Sequence, residues 1–285
     1  MENPIFVITG HDNNKFNFYI NALRSKKYRC YFFNTGSVSK INTYFTYLKY
    51  YFFLNNSKEL VGCVGYLASM DSLFFQSFIS KKKINEIYTF DDGFANIFPE
   101  SYYYKEENKY GYKRKLLNFI FHNNLTMNDL KKKTIKHYTI YEKFRNIVKN
   151  TQFLDVFNFS KKELISSEKV TKFFLGQPIS IEESSMCKIL YDLKIDYYYK
   201  HPREINTYKN VNYMNSDLIF EEFIINYIKK SNTKIVLYSF FSTACLNLIG
   251  CDNIEIIFVK SSSVFGDYDK IYDFLAQNKM KILDV

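Results

Sequence analysis

Ile84–Gly93 reads INEIYTFDDG. The run from Ile84 to Phe90 is apolar and strand-like, and it stops at two aspartates and a glycine, residue types that favour turns. The same figure recurs twice. Tyr197–Tyr199 precedes Lys200-His201-Pro202, and Ile235–Tyr238 leads to Ser242-Thr243. In an open α/β sheet, ligands bind just outside the carboxyl ends of the strands. An acidic pair, an imidazole and a hydroxyl pair at such ends would point into one crevice, a site for chemistry on an anionic substrate.

Outward from these motifs, strand and helix patterns alternate, which argues an α/β fold. Pro4–Thr9, Arg29–Phe33, Glu59–Leu67 and Ile84–Phe90 read as strands. Phe16, Tyr19, Ile20 and Leu23 recur at helical spacing, and Asp71–Ser80, Tyr112–Phe121 and Met127–Lys133 read as further helices. Lys105–Gly111 is charged and loop-like. Asn150–Val170 is polar and reads as a linker, dividing a first domain at 1–155 from a second at 156–285. The second pattern starts at Phe173–Leu175. Ser180 and Glu183 have capping-box spacing ahead of a face of Met186, Ile189, Leu190 and Leu193. Phe220, Phe223, Ile224, Tyr227 and Ile228 mark another buried stripe. Ile254–Val259 is a strand, Tyr268–Gln277 a helix, and Lys281–Asp284 a short tail.

Hydrophobic residues make up 47% of the 285, enough for the cores of two modest domains. The net charge of +10 is carried partly in runs: Lys81-Lys82-Lys83, Lys113-Arg114-Lys115, Lys131-Lys132-Lys133 and Lys161-Lys162. Such runs are most often solvated faces, and they also suit nucleic acid, an anionic membrane or an anionic substrate. Neither zinc-finger spacing nor an RNA-binding aromatic signature accompanies them. The five cysteines lack CxxC spacing and read as reduced and cytosolic. The opening MENPIFVITG does not read as a signal peptide. No stretch approaches the roughly 20 apolar residues of a membrane span.

Taken singly, each motif has an ordinary reading: a solvated Asp-Asp-Gly turn, an extended His-Pro dipeptide, a Ser-Thr helix cap. Their order and their longer strings carry more. YTFDDGFANI around Asp91, YYKHPRE around His201, SFFSTACLNL around Ser242 and FFLGQPIS at Phe173–Ser180 together resemble the bacterial sialyltransferases of glycosyltransferase family 52. The resemblance covers nearly the whole chain. It implies two Rossmann-like domains in a glycosyltransferase-B architecture. The first would bind the acceptor, and the second the CMP-sugar. It also implies inverting transfer of sialic acid from CMP-sialic acid to a terminal sugar hydroxyl, galactose being the favoured one, of a capsule or lipooligosaccharide. No metal and no cofactor beyond the donor substrate are implied.

Under that resemblance Asp91, the first acidic residue of its motif, is the catalytic base. A carboxylate within hydrogen-bond reach of the acceptor hydroxyl can take its proton as the new bond forms. Asp92 and Gly93 are secondary. Adjacent strand residues point to opposite faces, so direct coupling of the two aspartates stays open. His201 is the acid or phosphate donor, with Lys200, Pro202 and Arg203 around it. Ser242 and Thr243 open a helix and could hold the donor phosphate there, with Ser239 sharing the turn. Glu221 is the ribose or cytidine ligand by resemblance, while Gly176 and Gln177 let backbone approach the donor. His11 is a lesser candidate, and His122 and His137 read as surface residues. Partners are CMP-sialic acid and a glycan or glycolipid acceptor, with room for a peripheral membrane contact at the inner membrane face and for a homodimer. Nucleic acid is not expected. The rivals are a transferase for another CMP-linked acidic sugar and a basic nucleic-acid-binding protein.

Overall fold

The computed structural model describes residues 4–36, 39–105, 110–157, 169–262 and 268–285. Most of the linker expected at Asn150–Val170, including the Lys161-Lys162 run, lies outside the described residues, as does the middle of the Lys105–Gly111 loop. The chain divides into two compact units, Met1–Leu154 and Asp155–Val285.

In the first unit, β1 (Ile5–Gly10) and β2 (Arg29–Asn34) form a parallel pair joined by α1 (Asn14–Ser25). Asn13 starts that helix, its side chain accepting from the Phe16 N–H at 3.0 Å. Then come α2 (Lys40–Asn56), β3 (Gly65–Leu67), α3 (Leu73–Lys82), β4 (Ile87–Phe90), α4 (Tyr112–Ile120), α5 (Met127–Lys133), β5 (Thr134–Thr139) and β6 (Thr151–Phe153). Strands β3 to β6 make a second, wholly parallel sheet in sequential order. Its core gathers Leu67, Met70, Ile79, Ile87, Leu130 and Val148.

The second unit runs β7 (Val170–Leu175), α6 (Glu183–Asp192), β8 (Tyr197–Tyr199), β9 (Tyr213–Met214), α7 (Phe220–Ser231), β10 (Lys234–Ser239), α8 (Thr243–Asn247), β11 (Ile254–Lys260), α9 (Asp269–Gln277) and β12 (Lys281–Asp284). Its six strands are parallel in the order β12-β11-β10-β7-β8-β9. That is the doubly wound Rossmann order, and its strand sequence reverses between β7 and β10. The α/β expectation of two Rossmann-like halves therefore holds fully in this unit. In the first unit the strands are shared between two sheets.

Several readings of the sequence need correction. Glu59–Leu67 is not one strand: Lys58–Leu60 is a 3-10 turn, and only Gly65–Leu67 pairs. Lys281–Asp284 is not a tail but the edge strand β12, parallel to β11. Ser180 and Glu183 form no capping box, because α6 starts from Glu182 without a side-chain cap. Helix α2 and strands β5, β6 and β9 have no counterpart in the sequence reading. Helix α2 carries aromatic residues on nearly all sides, so no 3.6-residue period stands out. Strand β5 was hidden behind the lysines that end α5.

The lysine runs are not all solvated. Lys82 is only 3% exposed. Its ammonium donates to the Leu54 carbonyl at 2.7 Å and the Ser57 carbonyl at 2.5 Å, so a cation neutralises the orphaned carbonyls where α2 ends. Burial lowers its pKa. Lys82→Met leaves both carbonyls unpaired and is expected to cost about 1–3 kcal/mol in urea unfolding. The exposed Lys83→Met should change stability by less than about 0.5 kcal/mol.

Candidate active site

Strand β4 delivers the acidic pair to the carboxyl edge of the first unit's larger sheet. Thr89 is buried and Phe90 exposed, and Gly93 then turns the chain at φ 89° and ψ −155°. That region of backbone space is essentially closed to residues with a Cβ. The turn is pinned from behind, where the Asn96 side-chain oxygen accepts the Asp92 N–H at 2.8 Å.

The two carboxylates diverge. Asp91 turns toward β5 and the loop after it. Its Oδ1 accepts from His137 Nε2 at 3.0 Å and from Asn146 Nδ2 at 3.0 Å, and its Oδ2 accepts from the Ile140 N–H at 2.7 Å. Its side chain is 6% exposed. Asp92 turns the other way and is exposed, its Oδ2 accepting from Ser69 Oγ at 2.8 Å and the Tyr103 hydroxyl at 2.7 Å. Two like charges are thus kept on separate donor sets.

His137 is not a surface residue. It is fully buried, with Nδ1 against Thr89 Oγ at 2.8 Å and Nε2 against Asp91. A chain Thr89–His137–Asp91 therefore runs from the inner face of the sheet to its edge. The signal for it was present: Thr134-Ile-Lys-His-Tyr-Thr139 is a β-branched and aromatic run of strand length. His122 is exposed as expected, and His11 is exposed beside Gly36.

In the second unit the motifs collect at the carboxyl ends of β7, β8 and β10, around the point where the strand order reverses. Gln177 follows β7, and its Oε1 accepts from the Phe241 N–H at 2.9 Å. Ser239 is fully buried, its Oγ lying 3.1 Å from the Leu175 carbonyl and 3.2 Å from Gln177 Oε1. Ser239 and Gln177 thus tie the two loops that flank the reversal to each other. Ser242 stands at the N-cap of α8 without a side-chain capping bond. Helix α8 is five residues long, so hydroxyls and local N–H groups, rather than a long helix dipole, are what this turn offers an anion. Glu221 lies buried in the first turn of α7, its Oε1 accepting from Asn247 Nδ2 at 2.7 Å. At the end of β8, Lys200 Nζ donates to the Ile205 carbonyl at 3.1 Å, and His201 Nδ1 accepts from the Arg203 N–H at 3.1 Å. Pro202 is exposed between them.

No group of three or more His, Cys, Asp or Glu side chains suited to a metal ion occurs among the described residues. The five cysteines are unpaired in disulfides. The geometry offers a fixed carboxylate at one strand edge and a set of N–H and O–H donors at another. His137→Leu should therefore destabilise the chain by about 1–3 kcal/mol, since Asp91 and Thr89 each lose a buried partner. Urea unfolding measures that loss.

The family model for glycosyltransferase family 52 matches residues 2–263. An N-acetyllactosaminide alpha-2,3-sialyltransferase of Haemophilus influenzae is 37% identical over 201 residues, covering 69% of this chain. That match spans 64% of the relative's own length. A CMP-N-acetylneuraminate:beta-galactoside alpha-2,3-sialyltransferase of Pasteurella multocida is 30% identical over 225 residues, covering 77% of this chain and 72% of its own. Among solved structures, the glycotransferase of kitacinnamycin aligns with all of this chain and 87% of its own at 9% identity and a TM-score of 0.49. Acinetobacter baumannii MurG aligns with 99% of this chain and 86% of its own at 9% identity and a TM-score of 0.43. The family match spans both units and every motif described above, and the chain belongs to glycosyltransferase family 52.

Proposed function

We propose that the chain is an inverting sialyltransferase, moving sialic acid from CMP-sialic acid to a terminal galactose hydroxyl of a bacterial surface glycan. The observation that carries this reading is the continuous family match over 2–263, joined to two relatives whose names specify alpha-2,3-sialyl transfer. The geometry supplies the parts such a reaction needs. The acceptor hydroxyl attacks the anomeric carbon as the bond to the CMP phosphate breaks, and a single displacement inverts that centre. The hydroxyl proton goes to Asp91, whose carboxylate is oriented by three donors from β5 and the following loop. A base held in one geometry spends no reorganisation when the proton moves.

Departure of CMP leaves negative charge on its phosphate. Because His201 Nδ1 accepts a backbone N–H, the neutral ring carries its hydrogen on Nε2. In this role His201 is a hydrogen-bond donor to the phosphate, with Ser242 and Thr243 supplying hydroxyls at the neighbouring strand end. Glu221 would accept from the ribose hydroxyls. Gly176 and Gln177 shape the floor, and Ser239 holds Gln177 rather than the ligand.

Asp91→Asn and His201→Ala should both cut turnover by roughly 100-fold or more. CMP affinity separates them: Asp91→Asn should leave it near that of the parent, and His201→Ala should weaken it. Asp92→Asn should be much milder, and a dead Asp92→Asn with an active Asp91→Asn would exchange the two roles. Thermal titration with CMP, against UDP, GDP and an oligonucleotide, tests the donor itself, since a ligand at about 100 times its dissociation constant stabilises by about 2.7 kcal/mol.

Among the described residues no helix is long and apolar enough to cross a membrane. We infer instead a cytoplasmic enzyme in peripheral contact with the inner membrane face, where a lipid-linked acceptor would lie. Ile41, Phe45, Leu48 and Phe52 are each at least half exposed and form one outward stripe on α2. Tyr112, Leu116 and Phe119 are also exposed and form a second stripe on α4. The two helices carry Lys40, Lys49, Lys113, Arg114 and Lys115 and no acidic residue. Apolar faces with cationic flanks suit anionic lipid. Phe45→Ser with Leu48→Ser should reduce co-sedimentation with phosphatidylglycerol vesicles and leave the CMP thermal shift intact. Unchanged vesicle binding with loss of a dimer in sedimentation would instead make this stripe a contact between copies of the chain.

A further inference from the structure

His201 stands in a turn folded back over a buried carboxylate. Glu204 is 8% exposed. Its Oε2 accepts from the His201 N–H at 3.2 Å, and its own N–H donates to the His201 carbonyl at 2.9 Å. Side chain and backbone of one residue thus grip both peptide groups of the histidine. The other carboxyl oxygen, Oε1, accepts from the Tyr198 hydroxyl at 2.5 Å. Tyr198 is itself immobilised in the core, 1% exposed and stacked on Phe174 with ring centroids 5.7 Å apart.

Gly176 completes the arrangement. A Cβ at this position would lie 2.2 Å from Glu204 Oε2 and 2.5 Å from the Tyr198 hydroxyl. Its φ lies outside the left-handed region, so glycine is needed here for room and not for backbone freedom. The carboxylate occupies the space that any other residue's side chain would take. Burial raises the pKa of Glu204 and keeps the Tyr198 hydroxyl protonated as a donor. A carboxyl group in such a place is costly unless its oxygens are satisfied, and Tyr198 and His201 satisfy them.

We propose that Glu204, braced by Tyr198 in the space left by Gly176, is a positioning residue that holds the His201 ring at the donor phosphate. The proposal rests on the reading of His201 as a phosphate ligand. Glu204 touches no substrate. It acts by fixing the peptide that carries the imidazole, while the Arg203 N–H fixes the ring nitrogen. An amide at 204 would keep an acceptor for Tyr198 but present N–H to the His201 N–H, so glutamine should restore the function only in part.

The test is a thermodynamic cycle on CMP affinity, measured by calorimetric titration of folded protein, with kcat and acceptor KM measured alongside. Glu204→Ala should raise the CMP dissociation constant by about tenfold, the equivalent of one lost anchoring hydrogen bond. Glu204→Gln should fall between Glu204→Ala and the parent. kcat should fall with Glu204→Ala while acceptor KM stays put. In a His201→Ala background, Glu204→Ala should add nothing further to the CMP constant, because its effect passes through the histidine. Additive losses would overturn the proposal, and so would a Glu204→Ala variant with parental affinity beside a weakened His201→Ala. Parental CMP affinity in His201→Ala would instead remove the reading of His201 itself. If Glu204→Ala does not fold, Tyr198→Phe, which deletes one hydroxyl, should show the same non-additivity with His201→Ala, and additivity there counts against the proposal equally.

Discussion

Parallel strand pairing is the constraint from which the rest of this structure follows. Each strand pairing in the described residues runs parallel. Within one sheet, all carboxyl-terminal turns therefore open on a single edge, while the crossovers return along the faces. Residues far apart in sequence therefore meet at that edge. In the second unit the strand order also reverses between β7 and β10. The loops after those two strands part there, and Gln177 spans them through its bond to the Phe241 N–H. In the first unit the same edge gathers Asp91 from β4, His137 from β5 and Ser69 after β3.

The polar groups beneath these edges are mostly buried and paired, and the pairs give the motifs their shape. Thr89 and His137 stand under Asp91, Tyr198 under Glu204, and Asn247 beside Glu221. A buried polar group without a partner costs stability, whereas a fully satisfied set rigidifies its surroundings. Asp91 thus rests on His137, and His201 on Glu204, each a buried residue. Glycine serves the same end in two different ways. At Gly93 it permits a backbone conformation, and at Gly176 it leaves space for a carboxylate. Because these supports are bonded inside a single unit, each half of the proposed chemistry has its geometry set locally.

Much of this was legible in the chain. Strand-like runs ending in Asp91-Asp92-Gly93, Lys200-His201-Pro202 and Ser242-Thr243 mark strand ends because apolar character stops where the backbone leaves the sheet. The α/β class and the helices α4, α5, α6 and α7 follow from periodicity, whereas the family motifs are recognised by resemblance. The misses share a cause. Helix α2 is aromatic on its core and its solvent side alike, so a pattern that relies on contrast finds none. Lys82 looks like its neighbours in a basic run, although its ammonium ends α2. His137 sits in a strand whose partners, β4 and β6, lie 48 and 14 residues away, by the register pairs Thr89↔His137 and His137↔Thr151.

The sequence by itself determined the class of fold and the order of the motifs, because both depend on local alternation of apolar and polar residues. Only the tertiary structure decided which polar groups meet. Asp91 and Asp92 are neighbours in the chain yet turn to opposite donor sets, and Ser239 and Gln177 are 62 positions apart yet share a hydrogen bond. Side-chain direction at a strand end is set by what the adjacent strands place there, and that depends on sheet order, which no local pattern encodes.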